Sequence, residues 1–494
     1  MNIVFSLVAF AAAIALTPGA SSLHAADKPL RQAQDRPNII FIMADDLGYG
    51  EVGVYGQKLI QTPCLDQMAA EGMRFTSHFA GGAVCAPSRA GLMTGQSQAI
   101  GYIKGNPGDN PMRENLRDED VTVAEILKSA GYETACIGKW GLGPQGMSGY
   151  PTRQGFDYFL GYDTHGAAHQ YYPKTLYEND GERNLVDRQY SHDVFTEQAL
   201  TFLDQNRESP YFLYLAYTIP HAPYNPPDVK PYDGEDWHGE CKNYAAMITR
   251  MDRDIGRIIE KVKHSKEDTL IIFTSDNGPQ SGGMTESRLT RFFDSNGKQK
   301  GIKRDVYNGG IRVPFIAWWP GKIAANTVSN HISAFQDFLP TACELAGTTP
   351  QDTTDGISYL PTLLGNGDKQ TRHEWLYWEF LKMPKMKKHP DRMPTGRQAV
   401  LNVTIGFKAV RFGRHSPVEL YRFEEDTSEI NDVAGQYPEI AKQMTRYLNA
   451  CRSESELWPI KFHDSPIMST FSPHHISDKK IRANTDEQAH ENSD

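Results

Sequence analysis

No CxxC pair, no basic stripe, no internal repeat and no apolar run long enough to span a membrane stands out in this chain. Each absence removes a class of protein. The six cysteines, at positions 64, 85, 136, 241, 343 and 451, are widely separated, which argues against a structural zinc site and against a small disulfide scaffold. Spacing leaves their pairing open, and Cys136, inside the apolar stretch 134–138, reads as a buried thiol. A net charge of −10 without a basic stripe excludes nucleic acid as a partner, so an anionic ligand would have to be met by a local positive pocket. The lack of any later stretch apolar enough to span a bilayer argues against stable membrane insertion. What is present is ordinary: 494 residues, 39% hydrophobic and 23% charged, enough for one large domain and a smaller companion.

The N-terminus carries a processing signal. Ile3 to Leu16 are apolar but too few to span a bilayer, and they lead through Pro18, Gly19, Ser21 and Ser22 to Ala25-Ala26. The pattern predicts a signal peptide over residues 1–26, without a basic residue ahead of its apolar part, and an exported, periplasmic or secreted protein.

Further along, apolar runs alternate with amphipathic segments. Asn38–Met43, Glu133–Ile137, Tyr211–Tyr217 and Thr269–Thr274 suit buried strands. Val121–Ala130, Tyr244–Val262 and Ser333–Ala346 have helical spacing, the last expected to kink or divide at Pro340. The fold class is therefore α/β: a large, mostly parallel or mixed sheet sandwiched by helices. A boundary is expected near 366–373. Beyond it, Glu374–Phe380, Gln398–Asn402, Gly406–Arg411 and Glu419–Phe423 read as strands of an antiparallel sheet, with a helix at Tyr437–Cys451. The expected division is a catalytic domain over 36–368, an α+β subdomain over 369–460 and a polar tail over 461–494.

In an open parallel sheet, ligands bind beyond the carboxyl ends of the strands. The residues that follow the four strands are Asp45-Asp46, Gly138-Lys139, Pro220-His221 and Asp276-Asn277. Gathered around one crevice, their oxygen donors favour calcium or magnesium over zinc. The segment 85–95, CAPSRAGLMTG, has helix openers at Pro87 and Ser88 and a closer at Gly95. Cys85 is thus expected just before a helix N-terminus, where free N–H groups favour an anion.

Cys85-x-Pro87-Ser88-Arg89 followed by Thr94-Gly95 resembles the signature of the type I, formylglycine-dependent sulfatases of the alkaline phosphatase superfamily, the arylsulfatase-like enzymes. The resemblance runs from about Arg36 to Asp432, through IIFIMADDLGYG, CAPSRAGLMTG, IGKWGLG, PHAP, TSDNG and KRDVYNGGIRVP. It implies that a maturation enzyme oxidises Cys85 to formylglycine. It implies a calcium ion held by Asp45, Asp46, Asp276, Asn277 and the converted Cys85. Arg89 and Lys139 would polarise the formylglycine, and His221 and Lys303 would grip the sulfate and assist the leaving oxygen. A sulfated carbohydrate or an aryl sulfate is the implied substrate.

Two positions depart from the family pattern. The lysine motif, usually Gly-Lys-Trp-His, reads Gly138-Lys139-Trp140-Gly141, so a histidine that contacts the formylglycine is missing. His165 and His169, in the loop 164–173, would either fill that space or bind substrate beside Tyr171 and Tyr172. Asn308 replaces the glutamate usual before Gly-Gly, with an expected structural consequence only. Two rival functions remain at this point: a phosphate mono- or diester hydrolase on the same scaffold, and a non-catalytic binder of sulfated glycans.

Overall fold

Strand β1 (Asn38–Ala44) is buried along its whole length, and its side chains divide by parity between two cores. Ile40, Ile42 and Ala44 face one core, Ile39, Phe41 and Met43 the other. The unbroken apolar run in the sequence follows from that double burial. The computed structural model describes residues 36–107, 110–280, 289–382, 395–413 and 416–458; the expected leader 1–26 and tail 461–494 lie outside them.

Around β1 lie β2 (Met73–Phe79), β3 (Glu133–Lys139), β4 (Tyr158–Tyr162), β5 (Thr175–Glu178), β6 (Gly181–Asn184), β7 (Tyr211–Ala216), β8 (Thr269–Ser275), β9 (Arg312–Trp318), β10 (Thr327–Ser329) and β11 (Ser333–Ala334). They form one mixed sheet in the order β10-β2-β9-β8-β1-β7-β3-β4-β5-β6, with β11 also on β2. β8, β1, β7, β3 and β4 are mutually parallel, while β9 runs against β8. Helices α1 (Pro63–Ala70), α4 (Ser191–Leu203) and α5 (Gly239–Ser265) cover one face. The other is covered by α2 (Cys85–Thr94), α3 (Val123–Ser129) and the helix Phe338–Ala346.

One expected element is corrected. The segment Ser333–Ala346 is not one kinked helix: it opens as β11 and a single 3-10 turn, and the α-helix begins only at Phe338. Pro340 therefore sits in the first helical turn, where its missing N–H leaves no hydrogen bond unmade.

A second, four-stranded antiparallel sheet follows: β12 (Trp375–Lys382), β13 (Thr395–Asn402), β14 (Phe407–Arg411) and β15 (Glu419–Arg422). One face of it, with Leu376, Trp378, Leu401 and Tyr421, packs on Phe79 at the end of β2 and on Val306 and Ile311 in the segment that precedes β9. Its other face lies under the helix Pro438–Ala450 through Met444 and Leu448. Asn308 acts as a strut here: its Nδ2 donates to Thr427 O (3.0 Å), and its Oδ1 accepts from Lys408 Nζ (2.9 Å). All six cysteines are free, and Cys136 is fully buried. Among the described residues no helix is long and apolar enough to cross a membrane.

Candidate active site

The parallel strands deliver their following residues to one pit at the carboxyl edge of the sheet. β1 is followed by Asp45 and Asp46, β3 ends on Lys139, β8 is followed by Asp276 and Asn277, and the loop after β7 carries His221. Gly138 has φ +111, and a Cβ there would come within 2.0 Å of Ala216 O, so only glycine lets β3 approach β7 just before Lys139. Cys85 is the first residue of α2 rather than the one preceding it, and Gly95 closes that helix with φ +67. Lys303 stands on no strand end. Its loop is tied in by its own N–H on Pro279 O and by the Arg304 N–H on Ala83 O, both at 2.8 Å.

The side chains of these residues touch. Cys85 Sγ lies 3.4 Å from Lys139 Nζ, 3.6 Å from Lys303 Nζ and 3.8 Å from Asp45 Oδ1. Lys139 pairs with Asp45 Oδ2 at 2.6 Å, and Lys303 spans both oxygens of Asp46 at 2.6 and 2.7 Å. Arg89 donates to Asp276 Oδ2 through Nη2 (2.8 Å) and Nε (3.2 Å), and to Lys139 O through Nη1 (2.7 Å). The Asp46 N–H donates to Asp276 Oδ1 at 3.1 Å, from a left-handed backbone with φ +67. His221 Nε2 faces Asp46 Oδ2 at 3.4 Å, and its Nδ1 contacts Ala222 O at 2.6 Å.

Every one of these groups is buried, so their charges act through little solvent. Burial alone would raise the Asp45 carboxyl, yet Lys139, His221, Arg89 and Lys303 together hold it well below the usual range. Asp46 is lowered in the same way, chiefly by Lys303 against its burial. Asp276 goes the other way, to about 6, because burial and the neighbouring Asp45 outweigh Arg89. Burial pushes the Cys85 thiol up to about 11 in spite of the two ammonium groups. His221 is pushed down to about 4, again by burial, with Asp46 opposing.

A cation fits this donor set. Ligand atoms of Asp45, Asp46 and Cys85 all lie within 4.8 Å of one another. Asn277 donates through Nδ2 to Asp46 Oδ1 (2.7 Å) and Gly278 O (2.8 Å), but its Oδ1 is buried and meets no hydrogen-bond donor among the described residues. Such an orphaned acceptor costs on the order of 1–3 kcal/mol, which a metal ion would relieve. Carboxylate and amide oxygens are the donors of a hard cation such as calcium. An oxygen in place of the Cys85 sulfur would likewise stand against two ammonium groups.

The family model for Sulfatase matches residues 37–348, a stretch that contains all the residues of this pit. The chain belongs to the sulfatase family of sulfuric ester hydrolases. A second family model, N-sulphoglucosamine sulphohydrolase, C-terminal, matches residues 300–454. The chain is 33% identical to N-acetylgalactosamine-6-sulfatase of Homo sapiens over an alignment of 375 residues that covers 67% of this chain and 66% of that protein, just under two thirds of its length. It is 30% identical to arylsulfatase G of Rattus norvegicus over 84% of this chain and 86% of that protein. Among solved structures, Ps i-CgsB in complex with k-i-k-neocarrahexaose superposes with a TM-score of 0.72 at 26% identity, over 86% of this chain and 95% of that one.

In this sulfatase-family chain the two loop histidines take different places. The His169 ring is half-buried and stacks on His221, with centroids 4.1 Å apart and planes 10° apart. His165 is 6% exposed and lies against Gly141. Tyr171 does not form a substrate wall: it is buried in the core, and its hydroxyl donates to Thr218 O (3.0 Å) and to His221 O, holding the His221 loop. Tyr172 is half-buried beside Tyr190. Glu114 was not singled out from the sequence. It is 4% exposed and lies 3.6 Å from His165, but a lone glutamate in a polar stretch carries no sequence signal.

Proposed function

We propose that this protein hydrolyses sulfate esters of a carbohydrate, using a formylglycine made from Cys85 and one bound calcium ion. The observation that carries the reading is the placing of Cys85 between Lys139 and Lys303, beside the orphaned oxygen of Asn277 and the carboxylates of Asp45 and Asp46. Calcium would be held by Asp45, Asp46, Asp276, Asn277 and the converted residue 85. When bound and formed, the two groups supply a charge-neutralising cation and a hydrated aldehyde with two hydroxyls on one carbon.

The chain's own residues do the rest. Lys139 and Arg89 orient residue 85, Arg89 by bracing both Asp276 and the Lys139 carbonyl. Lys303, held cationic by Asp46, faces the sulfuryl oxygens and shares the leaving oxygen with His221. Three carboxylates, Asp45, Asp46 and Asp276, oppose three side-chain cations, Arg89, Lys139 and Lys303. A bound divalent cation thus leaves the pit net positive, the sign a sulfate ester requires within a chain whose net charge is −10.

A carbohydrate as the sulfated substrate is supported by the names of the relatives, one acting on an N-acetylgalactosamine sulfate and another crystallised with a neocarrahexaose. His169, half-buried beside His221, is the proposed contact to the sugar. Export through the residues 1–26, and partnership with a formylglycine-generating maturation enzyme, complete the reading. The test is the mass of the tryptic peptide containing residue 85, taken with turnover of an aryl sulfate and of sulfated galactan oligosaccharides. Loss of the thiol mass together with desulfation is expected; full turnover by a protein that keeps an intact thiol would overturn it.

A further inference from the structure

Gly141 leaves the lysine motif without a side chain, yet the space beside it is filled. A Cβ built on Gly141 would lie 2.3 Å from His165 Cε1 and 2.7 Å from each ring nitrogen, so the imidazole occupies the volume a side chain at 141 would need. The sheet makes this meeting obligatory. β3 and β4 pair in parallel with Lys139 opposite Tyr162, and the ladder continues past both strands through Trp140 N–H on Tyr162 O (2.9 Å) and Gly141 N–H on Asp163 O (3.1 Å). His165 is thereby carried to the same edge of the sheet as Lys139.

The ring is built in rather than left over. It is 94% removed from solvent, and neither nitrogen makes a hydrogen bond among the described residues, although a buried polar atom normally has a partner. Beside it is Glu114, whose Oε2 lies 3.6 Å from Nε2 and likewise makes no hydrogen bond among the described residues. Burial, with Lys139 and Arg89 adding to it, holds the imidazole neutral. Burial also pushes the Glu114 carboxyl up to about 8 against the pull of Lys139. A neutral acceptor thus stands beside the pit, with the Glu114 carboxyl directly behind it.

We propose that His165, backed by Glu114, is the proton acceptor for the step that releases sulfate from residue 85. The proposal rests on the formylglycine reading above. In that step the free hydroxyl on the side-chain carbon of residue 85 gives its proton to His165. The O–H electron pair becomes the second bond of a carbonyl, the bond from that carbon to the sulfate-bearing oxygen breaks, and sulfate leaves with the pair. Water then re-adds to the carbonyl, and the proton on His165 returns to solvent.

Two experiments separate this from its neighbours. In converted enzyme, His165→Ala lowers kcat by about 100-fold, the scale of a lost general base, and the peptide containing residue 85 retains the mass of a sulfate group after exposure to substrate. In unconverted protein, Gly141→His lowers the unfolding temperature, and adding His165→Ala reverses part of the loss, because histidine tolerates a positive φ and the clash is gone. The double variant, once converted, clears the retained sulfate. A His165→Ala enzyme with unchanged kcat and raised KM, or one that stalls with no sulfate on residue 85, would overturn the proposal and make His165 a substrate contact or a packing residue. Failure of the wild type to desulfate anything would instead overturn the sulfatase reading.

Discussion

Lys139→Met keeps the length and apolar stem of the side chain and deletes its ammonium. Lys139 is fully buried, with Nζ 2.6 Å from Asp45 Oδ2 and 3.4 Å from Cys85 Sγ. Removing one member of a buried pair leaves the other charge uncompensated, a loss of about 3–5 kcal/mol. In a chain of this size that lowers the unfolding midpoint by about 5 °C when measured in chelator. Calcium changes the outcome. If Asp45 is a ligand, the stripped carboxylate attracts the ion more strongly. One positive charge removed about 5 Å from a divalent cation is worth several kcal/mol even at an effective dielectric of about 20. Calcium affinity therefore rises by at least about tenfold, and added calcium recovers most of the lost stability. Turnover falls by about 10²–10³-fold, since one preorganised donor to the reacting group is gone. Calorimetry with and without calcium, titration calorimetry and aryl sulfate hydrolysis read the three quantities. An unchanged calcium affinity would remove Asp45 from the ligand set, and near-normal turnover would remove Lys139 from the chemistry.

Four further outcomes are expected. Cys85→Ser, expressed with the maturation enzyme, folds normally but loses turnover, because a single hydroxyl can accept the sulfuryl group and cannot expel it; intact mass and hydrolysis rates check both halves. Chelation abolishes activity, calcium restores it and zinc does not, as oxygen donors require; rescue by zinc would contradict the donor argument. His169→Ala raises KM for a sulfated oligosaccharide more than for a small aryl sulfate, while equal losses in kcat would move His169 into the chemistry. Stability falls in acid for a reason remote from the pit: burial pushes His78 down to about 3 from an ordinary 6.5. The folded protein thus refuses a proton that the unfolded chain takes. That contribution is complete above about pH 6.5 and is lost as pH falls toward about 3, with a slope up to about 1.4 kcal/mol per unit. Urea unfolding of His78→Leu will show a correspondingly flatter pH dependence.

The elements legible in the sequence are those whose signal is local. β1, β3, β7 and β8 are buried on both faces, so their apolar runs are unbroken and their ends mark Asp45, Lys139, His221 and Asp276. α2 announces itself by its proline, serine and closing glycine. β2 and β9 escaped because Arg74, His78 and Pro314 interrupt their apolar pattern, and β10 and β11 are too short for any period to register. Lys303 sits on a loop held by distant carbonyls, so strand-end logic cannot reach it, and only the family resemblance named it. The meeting of Gly141, His165 and Glu114 lies further out of reach. It depends on the pairing register of β3 with β4 and on the packing of a segment 27 positions upstream of Gly141. Residue types and turn chemistry are written one position at a time and fix which groups are offered to the crevice. Which of them touch is decided by strand register and by the close approach of backbones, and those are properties of the assembled sheet.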